Sequence, residues 1–539
     1  MNIHGSMYEM LSESVQSHPG DNAMLFSGKY VRYQELKYMI DRLANGLEAM
    51  GVGPGVVVTM AMPNTFEAVV AFYAVNKLGG LCHMVHPLTP VKQMTRFLEE
   101  TDSEMLFILD VMYGHYQDLL KRPQLRLIMA SAVQELGWLK RTMYRLINRK
   151  RIPSRTALPE RAYLYASISQ DGVSDTYSFK AETTQIYLHS GGTSGEPKTI
   201  ELSSLALNSL GLKADYILKE PNYTNCHMLA VLPMFHGFGL CMGIHAMLVL
   251  GAVSTLMPKF NASETIKLIK QNRLNYIIGV PSLYEALLQD PSFAGAHLKN
   301  LRQAFVGGDY VALDLKRRFD AVMIQHQSQA RLCEGYGLTE VVSVASVNIL
   351  QENNPHSVGK PLPGIEIRTV DLESRDFLPV NTPGEIAIRG ETMMNGYLND
   401  DVANQKTFLV DLEGHRWLLT GDYGVVDPEG YVLFKQRLKR IVKVLGMPVM
   451  PSEIENLIMS LHEVKEVAAV GMPDSEKGSV IKLFIVLDKE KPRTYDDEGL
   501  KLFIKAELSV YAMPKEIVHL AQLPKTPLGK VDTRKLESM

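Results

Sequence analysis

The sequence predicts an α/β protein with a large N-terminal domain of mixed and parallel sheets, a β-rich subdomain and a small α+β C-terminal domain. Short apolar runs, such as VVVTMAM at 56–62 and MLFIL at 105–109, alternate with helix-like segments such as YQELKYMIDRLANGLEAM at 33–50. Continuous apolar runs are typical of buried parallel strands, and their alternation with helices is typical of α/β sheets. The chain of 539 residues also exceeds what one hydrophobic core usually organises.

The C-terminal part of the chain has a different pattern of apolar and polar residues. After Phe377 come shorter, more polar strand-like segments, GEIAIRG at 384–390 and GYVLFKQR at 430–437, separated by Gly, Pro and Asp turns. They indicate a smaller β-rich subdomain. Beyond them, helix-like SEIENLIMSLH and strand-like IKLFIVLD are enough for an independent lid domain. We therefore predict an N-terminal domain over residues 1–437 and a mobile C-terminal domain over 438–539.

Charge and cysteine content exclude several classes of partner. The formal net charge of −3 is too small to steer the protein to nucleic acid, so we predict no nucleic-acid partner. The four cysteines stand far apart and form no CxxC or Cys/His cluster, which disfavours a disulfide scaffold and a zinc site. No secretory or transit pattern is visible at the N-terminus. A reducing, cytoplasmic location fits these features best.

One uncharged stretch, residues 239–257, resembles a membrane span in its hydropathy. It nevertheless contains His245 and several glycines, and Gly251 divides it into a helix-like part and the strand-like AVSTLM. We therefore predict a buried helix followed by a buried strand.

The strongest local motif is rich in Gly, Ser and Thr and follows the strand-like segment TQIYL. Its predicted phosphate-binding residues are Ser190, Gly191, Gly192, Thr193, Ser194, Gly195 and Lys198. Backbone N–H groups and hydroxyls of such a loop converge on phosphate oxygens, and the lysine adds a positive charge. The loop is not a Walker A motif, which needs Gly at Pro197, and not a nucleophile elbow, which needs Gly at Glu196. Taken alone, it is also compatible with a flexible turn.

Further motifs follow this loop along the chain. They are LPMFHG at 232–237, VGGD at 306–309, EGYGLTE at 334–340, GEIAIRG at 384–390, TGD at 420–422, Arg437, residues 443–446 and PLGK at 527–530. The ordered set resembles the adenylate-forming superfamily of acyl-CoA synthetases, firefly-type luciferases and nonribosomal peptide adenylation domains. The resemblance spans roughly residues 33–535. It implies the adenylate-forming fold and a two-step ligase that uses ATP, Mg²⁺ and coenzyme A.

The resemblance assigns roles to individual positions. Glu340 would bind the Mg²⁺ that it shares with the nucleotide, and Thr339 would contact phosphate. His236 would border the acyl site, or would only pack beside it. The remaining nucleotide and coenzyme A contacts would come from Gly307, Gly308, Asp309, Glu334, Gly335, Tyr336, Gly337, Asp422, Arg437, Lys439, Lys443 and Gly446. Within that set, Gly307, Gly308 and Tyr336 would wall the adenine site. Asp422 and Arg437 would hold the ribose hydroxyls.

Lys530 would serve the first half-reaction. The carboxylate that attacks the α-phosphate is itself an anion, and a positioned ammonium offsets the repulsion between the two. For the second half-reaction, the C-terminal domain would rotate about a hinge at Lys439 and bring in the loop around Gly446, which leaves room for a pantetheine arm. The acid-free basic run 435–443 would help attract coenzyme A phosphates, or would be a solvated basic face. Composition alone would make Lys530 an ordinary surface lysine.

Five positions depart from the usual family pattern. They are His189 for an aromatic residue, Gly191 for a hydroxyl residue, Thr199 for Gly, Asp309 for a small residue and Gln436 for Gly. We expect the changes around the loop to affect its affinity and dynamics more than the class of reaction. For Gln436 the sequence indicates no consequence.

The motifs leave the acid and the acceptor open. Tyr336, Phe235, Phe238 and the small residues 343–346 indicate an apolar pocket, so we expect a fatty or other apolar acid. The expected acceptor is free coenzyme A. One alternative is a ligase that loads a carrier-protein thiol, and another is a non-catalytic nucleotide- or fatty-acid-binding protein of the same fold.

Residues 136–153 form a basic amphipathic segment. Leu139, Met143 and Leu146 fall on one helical face. Arginines recur every fourth residue at 141, 145 and 149, and the segment contains no acid. The sequence favours a surface helix that packs its apolar stripe on its own domain. The alternative is peripheral contact with an anionic lipid surface.

Overall fold

The protein forms two compact units. The computed structural model describes residues 2–154, 158–172, 174–190, 197–445, 447–474, 477–488, 490–525 and 531–539. Unit 1 comprises Met1–Glu366 and Arg389–Arg416, and unit 2 comprises Ile367–Ile388 and Trp417–Met539. The domain boundary between residues 437 and 438 stays a prediction.

Unit 1 contains two large sheets, whose strands are numbered here along the whole chain. Across the first sheet the order is β16 (Lys360–Pro361), β15 (Ser346–Val347), β14 (Leu332–Tyr336), β13 (Gln303–Val306), β12 (Tyr276–Gly279), β10 (His227–Ala230), β11 (Val253–Leu256), β1 (Asn22–Phe26) and β2 (Lys29–Arg32). Across the second sheet it is β19 (Gly396–Tyr397), β9 (Thr199–Ser203), β8 (Thr184–His189), β4 (Leu81–Met84), β3 (Val57–Ala61), β5 (Met105–Leu109), β6 (Arg126–Ala130) and β7 (Ala162–Leu164). A short strand, β20 (Phe408–Val410), follows in the chain.

The interior strands of both sheets pair in parallel and are buried along most of their length. β10, for example, lies parallel to both β11 and β12, and β3 lies parallel to both β4 and β5. Antiparallel pairs occur toward the ends of the strand orders, as in β1 with β2 and β8 with β9. The predicted α/β class with parallel, apolar strands is confirmed.

Helices connect these strands. In unit 1 they are α1 (Met7–Ser17), α2 (Tyr33–Ala49), α3 (Phe66–Lys77), α4 (Val91–Glu100), α5 (Tyr113–Tyr116), α6 (Trp138–Ile147), α7 (Tyr165–Ile168), α8 (Ser204–Leu218), α9 (Ala246–Val249), α10 (Ala262–Lys270), α11 (Pro281–Gln289), α12 (Leu313–Gln325) and α13 (Asp401–Thr407). Short 3₁₀ turns occupy Asp110–Met112, Gln117–Lys121, Ala296–Asn300 and Thr339–Val341. The amphipathic stripe of α2 buries Leu36, Ile40, Leu43 and Leu47 at helical spacing.

Unit 2 combines β-ribbons with an α+β region, as the short polar strand-like segments after Phe377 and the mixed segments that follow them predict. Its strands are β17 (Glu366–Val370), β18 (Gly384–Arg389), β21 (Arg416–Val426), β22 (Val432–Arg437), β23 (Val442–Val444), β24 (Met447–Val449), β25 (Val464–Asp474), β26 (Gly478–Leu487) and β27 (Glu516–His519). A 3₁₀ turn at Leu438–Arg440 follows β22, and the helices are α14 (Pro451–Met459), α15 (Asp497–Glu507) and α16 (Thr533–Glu537). The core between α14, α15 and β26 includes Ile454, Ile458, Leu483 and Ile504.

The uncharged stretch 239–257 is a buried helical segment followed by a buried strand, as predicted. A π-helix over Phe238–His245 continues into α9, and Gly251, with a φ of +78°, turns the chain into β11. Across the described part of the chain, no helix combines the length and hydrophobicity that crossing a bilayer requires. The four cysteines are free and buried.

The expectation that α6 packs its apolar stripe on its own domain is wrong. The structure describes every residue of α6 and buries none of them. Its apolar side chains face solvent, because the polar side of the helix contacts the rest of unit 1.

Candidate active site

The neck of the predicted phosphate loop is the antiparallel pair β8 and β9. The Ser190 N–H donates to the Lys198 carbonyl at 2.9 Å, and the Lys198 N–H donates to the Ser190 hydroxyl at 3.0 Å. These two bonds close the loop, so both described ends of the motif are held together. The other predicted loop residues, Gly191, Gly192, Thr193, Ser194 and Gly195, lie outside the described residues.

Tyr397 of β19 connects the loop neck to the EGYGLTE motif, which is distant in the chain. The Tyr397 hydroxyl donates to Glu340 Oε1 at 2.9 Å, and Lys198 Nζ lies 4.5 Å from the centre of the Tyr397 ring. Burial, reinforced by the Glu340 carboxylate, raises the pKa of Tyr397, so its hydroxyl stays a neutral donor. Lys198 Nζ also lies 3.7 Å from Asp400 Oδ2. The predicted metal ligand and the predicted phosphate lysine therefore share one aromatic partner.

The surroundings of Glu340 fit a magnesium ion that is shared with a nucleotide. Glu340 is half-buried, and its backbone carbonyl accepts from the Met394 N–H at 2.8 Å. Among the described residues, no group of three or more His, Cys, Asp and Glu side chains could hold a metal by itself. Mg²⁺ commonly takes one or two protein carboxylates and completes its shell with phosphate and water oxygens. Glu340 is the residue that would hold it here.

A cleft of about 650 Å³ opens beside the loop neck in unit 1. Lys198, Thr199 and Asp400 line it together with Arg96 and Asn399. Its walls therefore carry two cationic side chains, Arg96 and Lys198, and three acidic ones, Glu99, Glu100 and Asp400.

The EGYGLTE motif runs from the end of β14 into the 3₁₀ turn that holds Thr339 and Glu340. At Gly337 an added Cβ would lie 1.6 Å from the Ser343 carbonyl oxygen, so only glycine fits this backbone approach. Val342 has a φ of +66°, rare for a β-branched residue, and the Ser343 N–H donates to the Val341 carbonyl at 2.8 Å. This is a strained γ-turn directly after the predicted metal ligand.

The γ-turn also contacts the predicted acyl-site segment. An added Cβ at Gly237 would lie 1.6 Å from the Val342 carbonyl oxygen. His236, the residue before it, is partly buried, and its ring lies 4.7 Å from the Phe235 ring. The structure therefore brings the segment that carries His236 against the residues that follow Glu340.

The predicted adenine wall lies where β13 and β14 end side by side. An added Cβ at Gly307 would lie 2.8 Å from the Gly335 carbonyl oxygen. Gly308 has a φ of +77°, and Asp309 is exposed and accepts from the Tyr310 N–H at 2.9 Å. Tyr336 ends β14 and is half-buried.

Glu334, the first residue of the EGYGLTE motif, forms a buried ion pair within unit 1. Its carboxylate forms a buried ion pair with Lys316, whose ammonium also donates to the Pro355 carbonyl at 2.6 Å. Burial raises the pKa of Glu334, and Lys316 opposes that rise. This contact indicates that Glu334 supports the end of β14.

In unit 2, the predicted ribose-binding residues form an ion pair. Arg437 Nε lies 3.0 Å from Asp422 Oδ1, and Asp422 is buried whereas Arg437 is largely exposed. The Gly421 N–H donates to Glu385 Oε1 at 2.8 Å, and the Asp422 N–H donates to the Thr420 hydroxyl at 3.1 Å. The GEIAIRG and TGD motifs are thus in contact through the backbone of Gly421.

Two of the five basic side chains in the run 435–443 pair with acids of α14. Lys435 Nζ lies 4.0 Å from Glu453 and Arg440 lies 2.6 Å from Glu455, both on α14. Gln436, for which the sequence indicated no role, is buried and accepts from the Ser452 hydroxyl at 3.0 Å. The acids and the hydroxyl of α14 therefore tie this segment to the helix.

The residues assigned to the second half-reaction are only partly described. Lys439 is exposed in the 3₁₀ turn after β22, and Lys443 is exposed in β23. Gly446 and Lys530 lie outside the described residues, so their roles stay predictions.

A polar chain that the sequence did not predict supports the loop neck. His189 Nε2 lies 2.8 Å from His83 Nε2, His83 Nδ1 lies 3.0 Å from the Thr59 hydroxyl, and that hydroxyl donates to Ser103 at 2.8 Å. On the other side, the Thr199 hydroxyl lies 3.4 Å from His189 Nδ1. The hydrogen bonds can all point from Thr199 toward Ser103 only if each imidazole is neutral, with one nitrogen donating and the other accepting. Two departures from the family pattern, His189 and Thr199, are therefore partners.

We expect the substitution His83→Phe to destabilise unit 1 by about 1–3 kcal/mol, because it leaves the Nε2–H of His189 buried without its acceptor. The double variant His83→Phe/His189→Phe should recover part of that loss, since both polar rings are gone. Thermal or urea unfolding of the four members of the cycle measures the coupling. Additive effects of the two substitutions would contradict the hydrogen bond.

The same pair predicts acid sensitivity. Burial and the charge of Arg96 lower the pKa of His189 to about 3, and burial and His189 lower the pKa of His83. The unfolded chain, with a histidine pKa of 6.5, binds more protons, so the stability that the neutral pair contributes above pH 6.5 is lost as the pH falls toward 3. The unfolding midpoint between pH 8 and pH 5 should fall less steeply in the double Phe variant. Parallel profiles would contradict this assignment.

Comparison with known proteins shows an enzyme of the AMP-forming acid–thiol ligase class, which uses ATP, Mg²⁺ and coenzyme A. The family model described as AMP-binding enzyme matches residues 11–398, and that of the AMP-binding enzyme C-terminal domain matches residues 453–530. The chain therefore belongs to the AMP-binding enzyme family, as the resemblance implied.

Known relatives extend over nearly the whole chain. A long-chain-fatty-acid–CoA ligase of Bacillus subtilis is 26% identical over 98% of this chain and 94% of its own length. A 4-coumarate–CoA ligase 3 of Arabidopsis thaliana is 28% identical over 95% of this chain and 87% of its own length. The crystal structure of an ATP-bound RpMatB–BxBclM chimera has a TM-score of 0.85 at 24% identity and covers 100% of this chain and 99% of that one. That likeness is a likeness of fold.

Proposed function

We propose that the chain joins an apolar carboxylic acid to free coenzyme A through an acyl-adenylate. The observation that carries this proposal is the contact of Tyr397 with both Glu340 and Lys198 at the loop neck. It supports a site in which a magnesium ligand and a phosphate-binding cation are held beside a glycine-rich loop. The curated relatives, which are named as CoA ligases of fatty and aryl acids, support the choice of acceptor.

In the first half-reaction, a carboxylate oxygen of the acid attacks the α-phosphorus of ATP. The bond from that phosphorus to the oxygen bridging to the β-phosphate breaks, and pyrophosphate leaves. Lys198 would bind the β- and γ-phosphates, and Glu340 would hold Mg²⁺, which neutralises developing charge on the phosphate oxygens. Lys530 would offset the repulsion between the two reacting anions. Asp422, through its carboxylate, would accept hydrogen bonds from the ribose hydroxyls.

In the second half-reaction, the thiol sulfur attacks the carbonyl carbon of the acyl-adenylate. The bond from that carbon to the phosphate oxygen breaks, AMP leaves and the thiol proton passes to solvent. A hinge at Lys439 would exchange Lys530 for the loop around Gly446 between the two steps. The exposed position of Lys439 in a short turn is compatible with that role.

An apolar acid is the substrate class that the pocket segments favour. Segments 232–238 and 341–347 contain no Lys or Arg to pair with a second carboxylate. Met234, Phe235, Val344 and Ala345 within them are buried, and the segments meet where Gly237 approaches Val342. A tail lined by such groups gains from burial of apolar surface.

The acceptor is tested by supplying ATP, Mg²⁺ and a matched fatty acid with either free coenzyme A or a phosphopantetheine-bearing carrier protein. We expect acyl-CoA and AMP in equal amounts from the first mixture, and little acylated carrier from the second. Acylated carrier without any acyl-CoA would overturn the choice of coenzyme A and leave adenylation intact.

A further inference from the structure

Helix α6 presents a row of large apolar side chains to solvent. The exposed fractions are 76% for Trp138, 57% for Leu139, 54% for Met143, 64% for Leu146 and 77% for Ile147. At helical spacing these residues occupy about half of the helix circumference. A cluster of this size on one short helix is unlike the scattered exposed apolar residues of an ordinary surface.

The opposite side of α6 fixes its orientation. The Tyr144 hydroxyl donates to Asp110 at 2.6 Å, and the Lys140 ammonium donates to the Ser27 hydroxyl at 2.8 Å. Arg141 Nε donates to the Leu136 carbonyl at 2.9 Å. Because polar contacts hold the helix on unit 1, its apolar face points outward as a built feature of the surface.

Positive charge surrounds this apolar face. The segment 136–153 contains no acid, and its basic residues are Lys140, Arg141, Arg145, Arg149, Lys150 and Arg151. All six side chains belong to exposed residues. An exposed apolar face flanked by Lys and Arg is the composition of helices that lie in the interface of an anionic bilayer.

We propose that α6 and the following turn to Arg151 form a docking surface for an anionic lipid bilayer. Trp138, Leu139, Met143, Leu146 and Ile147 would enter the region between headgroups and acyl chains, and Arg145, Arg149, Lys150 and Arg151 would contact the headgroups. A second copy of this chain does not suit the surface, because it would place like charges against each other. The proposal rests on the surface alone and is independent of the proposed reaction.

Tryptophan fluorescence reports on this surface directly. The chain has two tryptophans, of which Trp417 is 1% exposed and Trp138 is 76% exposed. When the full-length protein is mixed with phosphatidylcholine vesicles that contain about one third phosphatidylserine, the emission should shift to the blue and the protein should sediment with the vesicles. Vesicles of phosphatidylcholine alone should bind it about tenfold more weakly, and salt should weaken binding to the anionic vesicles.

Two variants separate the apolar and the charged parts of the surface. Leu139→Ser/Leu146→Ser removes apolar area, and Arg149→Gln/Lys150→Gln/Arg151→Gln removes charge. Each should weaken vesicle binding about tenfold or more without changing the unfolding midpoint, since all these positions are exposed. Matched controls elsewhere are Leu412→Ser, at a fully exposed leucine, and Lys505→Gln, at an exposed lysine. Both controls should bind vesicles as the unmodified protein does.

Three results would overturn the proposal. They are no binding to anionic vesicles, equal binding to neutral and anionic vesicles, and variants that bind as well as the controls. A concentration-dependent dimer that the Leu139→Ser/Leu146→Ser variant abolishes, without vesicle binding, would assign the face to a second copy. Because vesicle binding is measured without substrates, its failure is distinct from failure of the ligase reaction.

Discussion

Replacing Lys530 by Ala is expected to slow acyl-adenylate formation by about two to three orders of magnitude, the usual effect of removing one positioned electrostatic group from a transition state. The carboxylate and the triphosphate are both anionic, and the loss of the ammonium leaves their repulsion uncompensated. Thioester formation from supplied acyl-adenylate should keep most of its rate, because no second anion approaches the phosphorus in that step. Single-turnover assays of each half-reaction measure the two rates separately.

Lys525→Ala is the matched control for this substitution. Lys525 lies close to Lys530 in the chain, is partly exposed and forms an ion pair with Glu466 at 2.7 Å. Its replacement should leave both half-reactions near their unmodified rates. If Lys530→Ala slowed both half-reactions equally, the two steps would not use different faces of the C-terminal domain.

Replacing Glu340 by Gln is expected to lower the adenylation rate about a hundredfold and to raise the Mg²⁺ concentration for half-maximal rate. The amide keeps an oxygen that can accept from the Tyr397 hydroxyl, so the local structure should persist. It loses the negative charge that a hard cation requires. Initial rates measured against Mg²⁺ concentration at saturating ATP reveal the shift.

Tyr397→Phe provides the comparison within the same contact. It removes one hydrogen bond to a charged group, for which a loss of about tenfold is expected, and it keeps the ring beside Lys198. Glu352→Gln, at a partly exposed carboxylate 3.1 Å from Lys360, is the control outside the site. An unchanged Mg²⁺ dependence in Glu340→Gln would contradict the assignment of Glu340 as a magnesium ligand.

The class of fold and most of its elements could be predicted from the sequence, because buried parallel strands have a simple pattern. MLFIL coincides with β5, and the segment from Tyr33 follows α2 to within one residue. The exposed face of α6 could not be predicted. Amphipathic spacing shows that a helix has two faces, but it does not show which face contacts the protein.

The motifs also predicted a candidate site, because the glycines and carboxylates stand at fixed places in one ordered set. Tyr397 was missed, since nothing in its own short strand indicates that β19 pairs with β9 and lies beside Glu340. The His83–His189 contact was missed for the same reason, because parallel pairing of β4 with β8 brings together residues far apart in the chain. Likewise, the acids of α14 that pair with Lys435 and Arg440 could not be predicted from the basic run itself.

The central claim is that this chain activates carboxylic acids as adenylates. The most direct test is exchange of labelled pyrophosphate into ATP over a panel of straight-chain, aryl and dicarboxylic acids, each with and without Mg²⁺. We predict exchange that requires both an acid and Mg²⁺ and is strongest with apolar monocarboxylic acids. Absence of exchange with every acid, or exchange that needs no acid, would contradict the claim.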